Sequence, residues 1–101
     1  MISDKLLNDL CNIFNNYTEI DRVILFGSRA RGDNKNTSDV DLCIFGRDVT
    51  HLVLAKITMD IYELDTPLSF DILNFNELSK KALIDNILNE GVEIYNGKEV
   101  R

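Results

Sequence analysis

ILFGSRARGDNKNTSDVDLCIF, residues 24–45, governs how the rest of the chain is read. An apolar run stops at Gly27-Ser28, a short polar and basic loop follows, and Asp39-Val40-Asp41 opens a second apolar run. "RVILF", residues 22–26, predicts a buried strand ending at Gly27, and the alternation of "DVDLCIF", residues 39–45, predicts another. Successive strand residues point to opposite faces. Asp39 and Asp41 therefore share one face, and Val40, Leu42 and Ile44 take the other as candidate core. Two carboxylates at that spacing repel unless solvent or a cation compensates them.

Outward from this stretch the elements follow from periodicity. Leu6, Leu7, Leu10, Ile13 and Phe14 predict a helix over 3–16, with Ser3 as N-cap and Asp4 in the first turn. Leu54, Ile57, Ile61 and Leu64 predict a helix over 50–64, and Asp65-Thr66-Pro67 breaks it. "SFDILN", residues 69–74, reads as a third strand. Leu78, Ala82, Leu83, Ile87 and Leu88 form the inner side of a helix over 76–90, with Gly91 as its C-cap. "VEIY" makes a short fourth strand before Asn96-Gly97 turns the tail outward. The order α-β-β-α-β-α-β predicts an α/β (α+β) fold, a small mixed β-sheet flanked by helices. At 101 residues the expectation is a single domain over 1–101, with nearly the whole chain spent on one core. A second function would then need a partner chain, in a homo- or hetero-oligomer.

Composition narrows the class. Hydrophobic content of 45% and charged content of 28% are those of a soluble globular protein. The net charge of −6, with basic residues scattered apart from Arg29, Arg31 and Lys35, argues against a long nucleic acid as partner. A small triphosphate carrying its own cations suits an acidic protein. Cys11 and Cys43 form no CxxC pair and read as two free thiols in a reducing compartment, the cytoplasm. Asp4, Lys5 and Asp9 interrupt any signal-peptide run, and no stretch approaches the ~20 apolar residues of a membrane span.

Asp71 stands between Phe70 and Ile72 in an apolar strand, so it faces away from the core and joins Asp39 and Asp41 if the second and third strands pair. Hard cations such as Mg²⁺ take carboxylate oxygens with phosphate and water. Two of them, roughly 3.5–4 Å apart, can activate an attacking oxygen and stabilise a leaving one. At Gly27 the backbone must turn sharply and approach something closely. Backbone N–H groups and the Ser28 hydroxyl can hold phosphate oxygens there, and Arg29 and Arg31 add positive charge. Taken singly, Gly-Ser is a common turn, Asp-x-Asp a common solvated strand edge, and Asp71 an ordinary exposed strand residue. Together, at ten residues between Ser28 and Asp39, they are hard to assemble by accident. "GSRARGDN" lacks the Lys-Ser/Thr of a P-loop, no GxGxxG is present, and Asp33–Thr37 does not continue into a calcium loop. His51, at a helix start, reads as a surface or capping residue. Tyr17, Tyr62 and Tyr95 read as core-edge residues, and Lys80-Lys81 as a solvated helix face.

"GSRARG", "SDVDL" and the lone Asp of "SFDIL" resemble the signature of the DNA polymerase β-like nucleotidyltransferase superfamily, and the short length resembles its minimal nucleotidyltransferases, the MNT antitoxin type. The resemblance runs from Arg22 to "GVEIY". It implies the family's mixed sheet flanked by helices and a transferase releasing pyrophosphate from an NTP. Asp39 and Asp41 would bind two Mg²⁺ ions. Asp71 would complete the site of the metal that activates the acceptor hydroxyl, and Gly27 and Ser28 would hold the β- and γ-phosphates. It further implies AMP transfer from ATP to a tyrosine of a HEPN-domain ribonuclease toxin. Two alternatives stand beside it: a binding module that neutralises its partner by stoichiometric contact, and a transferase acting on a small molecule.

Overall fold

The computed structural model describes residues 1–100; Arg101, the last residue of the expected domain, lies outside them. Ser3, extended at φ −68° and ψ 157°, caps helix α1 (Asp4–Phe14), its hydroxyl accepting the Leu6 N–H. Leu6, Leu10 and Phe14, a turn apart, enter the core. Then come β1 (Ile20–Phe26), a single helical turn α2 (Ser28–Arg31), β2 (Val40–Gly46) and α3 (His51–Tyr62). They are followed by β3 (Phe70–Asn74), a 3-10 turn at Phe75–Glu77, α4 (Lys81–Glu90), β4 (Val92–Asn96) and a closing turn α5 (Gly97–Val100). The strands form one sheet in the order β3-β2-β1-β4. β1 is antiparallel to β2 and β4, and β3 runs parallel to β2. The sheet is mixed, as the pattern predicted, and α3 is the crossover that a parallel pair requires.

The central strands are covered on both faces, which is why they are apolar almost throughout. On one face Val23, Leu25, Val40, Leu42 and Ile44 pack with Leu10 and Phe14 of α1 and Ile57 and Ile61 of α3. On the other, Ile24, Phe26 and Cys43 pack with Ile87 of α4. Asp41 alternates with Leu42 and so belongs to the α4 side of the sheet.

Several expectations shift on the three-dimensional structure. The helix expected over 76–90 begins only at Lys81. Asn74 is the reason: its side-chain oxygen accepts the Asn76 N–H and winds Phe75–Glu77 into a 3-10 turn, after which Leu78 is extended. Leu88, expected inside, is exposed, and so is Ala82; Ile87 alone of α4 is fully buried. Gly91 does cap α4 through its N–H to Ile87 O, but with extended backbone. Glycine suits that position because a Cβ would run into Ile24 and the Ile87 carbonyl. The tail does not turn outward at Gly97 but winds into α5 against β1. α3 has more than one apolar stripe: Leu52 and Met59 are solvent-exposed opposite the buried Ile57 and Ile61. His51 is exposed, its Nε2 3.0 Å from Glu77 Oε1.

Candidate active site

The sheet brings the key residues together by register. Phe26 of β1 stands opposite Asp41 of β2, and Asp41 opposite Asp71 of β3. Neighbouring strands lie about 4.8 Å apart, so the end of β1, Asp41 and Asp71 form one row across three strands. Asp39 precedes Asp41 by two residues on the same face. Asp39 and Asp71 are exposed and Asp41 is half-buried, so the row lies on an open face.

Gly27 ends β1 with φ 75° and ψ −156°, a conformation that costs any residue with a Cβ. It also lies so close to Asp41 that an added Cβ would collide with the carboxylate. The close approach expected of this glycine is therefore to Asp41. Its carbonyl accepts the Ala30 and Arg31 N–H groups at 3.1 Å each, which winds α2 immediately after the strand. Gly32, left-handed at φ 85°, ends that turn with its N–H on Ser28 O at 2.9 Å. Ser28 is half-buried at the head of the turn, and its hydroxyl makes no hydrogen bond among the described residues.

The carboxylates share a cost. Burial pushes the Asp41 carboxyl above its ordinary value, the Asp71 and Asp39 charges push it further, and Arg31 opposes them. Arg31 is exposed and reaches Asp33 at 3.2 Å and Glu90 at 3.5 Å. Arg29 points elsewhere. It is buried, and its guanidinium donates to backbone carbonyls: Nε and Nη2 to Ser38 O, Nη2 also to Asn36 O, and Nη1 to Met1 O. Of the two arginines singled out in the sequence, Arg31 adds its charge to the carboxylate row and Arg29 holds the loop.

Among the described residues, no three histidine, cysteine or carboxylate side chains stand arranged to hold a metal ion as they are. The chemistry of the donors nonetheless fits a hard cation: oxygens only, on adjacent strands, with the glycine backbone against the central one. Burial and the neighbouring carboxylates both disfavour the charged form of Asp41, and a cation bound among the three would oppose them by attracting that charge.

The profile described as "Polymerase beta, Nucleotidyltransferase" matches residues 8–100. The chain belongs to that family. This nucleotidyltransferase is 35% identical over 79 residues to MJ0141 of Methanocaldococcus jannaschii, covering 75% of the chain and 80% of the relative. It is 37% identical over 78 residues to MJ0435 of the same organism, covering 74% and 80%. Both relatives are assigned by name as protein adenylyltransferases. Among solved structures it resembles a toxin–antitoxin crystallised with AMP-PNP, with a TM-score of 0.72 and 17% identity over 98% of this chain and 77% of that one. It also resembles the complex of tri-AMPylated Shewanella oneidensis HEPN toxin with MNT antitoxin, at a TM-score of 0.70 and 15% identity over 98% and 76%. At those identities the likeness is one of fold.

Two residues around the candidate site of this nucleotidyltransferase carried no signal in the sequence. The Tyr62 hydroxyl donates to Phe70 O at 3.0 Å and accepts the Phe70 N–H at 3.2 Å, pinning the start of the edge strand beside Asp71. Glu90, at the end of α4, reaches Arg31 across 59 residues of chain. Neither contact is periodic, so neither was foreseeable. The three tyrosines were expected at the core edge; Tyr95 is buried against Phe14 and Tyr17 donates to Asp60. No described helix is long and apolar enough to cross a membrane.

Proposed function

We propose that this nucleotidyltransferase transfers AMP from ATP to a hydroxyl of a partner protein, a tyrosine of a HEPN-domain ribonuclease toxin, and so serves as the antitoxin of a cytoplasmic toxin–antitoxin pair. The observation that carries the reading is the row in which the Gly27 backbone lies against Asp41 and Asp41 stands opposite Asp71. Two further facts favour a protein acceptor. Asp39 and Asp71 lie on an open face, whereas a cavity of about 420 Å³ lined by Arg22, Phe45 and Phe75 among others, and one of about 460 Å³ lined by Glu19, Arg47 and Asp48 among others, lie elsewhere. The named relatives and the fold neighbours also include protein adenylyltransferases and an AMPylated HEPN toxin.

Asp39, Asp41 and Asp71 would hold two Mg²⁺ ions together with triphosphate oxygens and water. Bound there, Mg²⁺ would neutralise phosphate charge and make the acceptor hydroxyl easier to deprotonate. The Gly27 backbone and Ser28 hydroxyl hold the β- and γ-phosphates, and Arg31 faces the leaving group. The tyrosine oxygen forms a bond to the α-phosphorus in line with the bond that breaks, between that phosphorus and the α–β bridging oxygen. Pyrophosphate leaves with the electron pair, and the tyrosine proton passes to Asp71. Most of the acceleration comes from positioning and charge neutralisation.

The test is the intact mass of the partner toxin after co-expression with this chain, wild type against Asp39→Asn. The expected result is a gain of one or more AMP units with wild type alone. A partner that co-purifies unmodified, and is silenced equally by both forms, would replace transfer by stoichiometric binding.

A further inference from the structure

Asp39 lies outside the sheet ladder: β2 begins at Val40. Two anchors fix it. After it, the Val40 N–H donates to Ser69 O at 2.9 Å, which ties β2 to the start of β3. Before it, the Ser38 carbonyl accepts two N–H groups from Arg29, at 3.0 Å from Nε and 2.9 Å from Nη2. That carbonyl shares its peptide plane with the Asp39 nitrogen, so orienting it sets the direction in which Asp39 leaves the loop. The same guanidinium binds Asn36 O at 3.2 Å and Met1 O at 3.1 Å. Arg29 is 6% exposed and no salt bridge to a carboxylate is found for it among the described residues. A buried charge held only by carbonyls is costly to maintain unless its fork of donors is matched; here it is matched by Met1 O and by a loop that has no helix or strand of its own between Gly32 and Asp39. Arg29 also follows Ser28 directly, on the turn that Gly27 opens.

We infer that Arg29 is a positioning residue. It couples the Ser28 turn to Asp39, so that the phosphate-holding backbone and the first carboxylate sit at a fixed separation before metal or nucleotide arrives. The inference rests on the proposed function for its site. Lysine cannot replace it fully, because a single ammonium cannot span the Ser38, Asn36 and Met1 carbonyls in one plane.

The experiment measures Mn²⁺ binding to the full chain in the presence of AMP-PNP, and AMP-PNP binding without divalent cation, for wild type, Arg29→Lys and Arg29→Met. The expected result is a loss of about 10–100-fold in Mn²⁺ affinity for Arg29→Met, the range found when a group that orients a metal ligand is removed. Arg29→Lys should fall between the two, and metal-free AMP-PNP binding should change little in either. Unchanged Mn²⁺ affinity in both variants would overturn the inference, and so would a loss confined to metal-free AMP-PNP binding, which would mark a direct phosphate contact. Should the variants fail to fold, the unaltered chain decides. Its Arg29 Nε–H resonance should stay protected and unshifted when AMP-PNP is added alone, and a large shift would overturn the inference. A wild-type chain that binds neither Mn²⁺ nor AMP-PNP would instead overturn the site reading, and the positioning role with it.

Discussion

Asp41 sits half-buried against the Gly27 backbone, with Asp71 across the strand pair and Asp39 two residues back. Burial and these two charges raise its pKa. A carboxyl whose pKa is higher folded than unfolded favours the fold while protonated, and that contribution is lost as the pH rises through the folded value. Asp41→Asn keeps the shape and removes the charge. In metal-free buffer at neutral pH it should therefore melt at or above the wild-type temperature. The difference should shrink toward the ordinary aspartate range, near pH ~4, where wild type protonates as well. Circular dichroism melts in chelator at both pH values test this. A large loss at neutral pH would show that the carboxylate accepts structural hydrogen bonds. The thiols have no comparable role: burial lifts Cys43 to about 12 and raises Cys11, whose Sγ lies 3.3 Å from Ile94 O.

In α4, a single step along the helix separates a residue that holds the sheet from one that does not. Ile87 is fully buried against Ile24, Phe26 and Cys43, whereas Leu88 is half exposed. Both are large and apolar, and periodicity alone assigned both to the core. Ile87→Ala should cost roughly 2–5 kcal/mol of unfolding free energy, since it leaves a cavity under the α4 face. Leu88→Ala should stay within about 0.5 kcal/mol of wild type. Urea titrations of the two variants give the comparison, and equal losses would place the helix axis wrongly. β3 shows a related economy. It is an edge strand, and the Tyr62 hydroxyl occupies both backbone groups of Phe70 on its open side. The exposed edge is thereby shortened next to Asp71.

Across the molecule, the sheet joins distant parts of the chain. β4 pairs with β1, Arg22 opposite Asn96, so the centre of the sheet is complete only when the last strand has docked. Such non-local pairing makes folding cooperative and places the candidate row, which spans β1, β2 and β3, under the control of the whole fold. Ligands that bind only the folded row should therefore stabilise the entire protein. Mg²⁺ with AMP-PNP at a hundredfold excess over its dissociation constant should add about 2.7 kcal/mol, a rise in melting temperature of roughly 10–20 °C for a chain of this size. Asp39→Asn should lose most of that rise while melting like wild type without ligand. A rise preserved in Asp39→Asn would remove this carboxylate from the proposed metal ligands.

Much of this was legible in local chemistry. The strands, the Ser3 cap, the mixed sheet and the Gly27-Ser28, Asp39, Asp41 and Asp71 constellation follow from alternation, capping and glycine stereochemistry, which act within a few residues. The family is legible for the same reason, because its signature is carried by those short stretches. What needed three dimensions was each fact that depends on contact between distant segments. The sequence could pose Asp71 as a third carboxylate but not place it opposite Asp41, since that required the parallel register of β2 and β3. It could mark Arg29 as a cation but not show it turned inward onto backbone carbonyls. Nor could it separate Ile87 from Leu88, or start α4 at Lys81, because the axis of a helix is set by what it packs on and not by its own period.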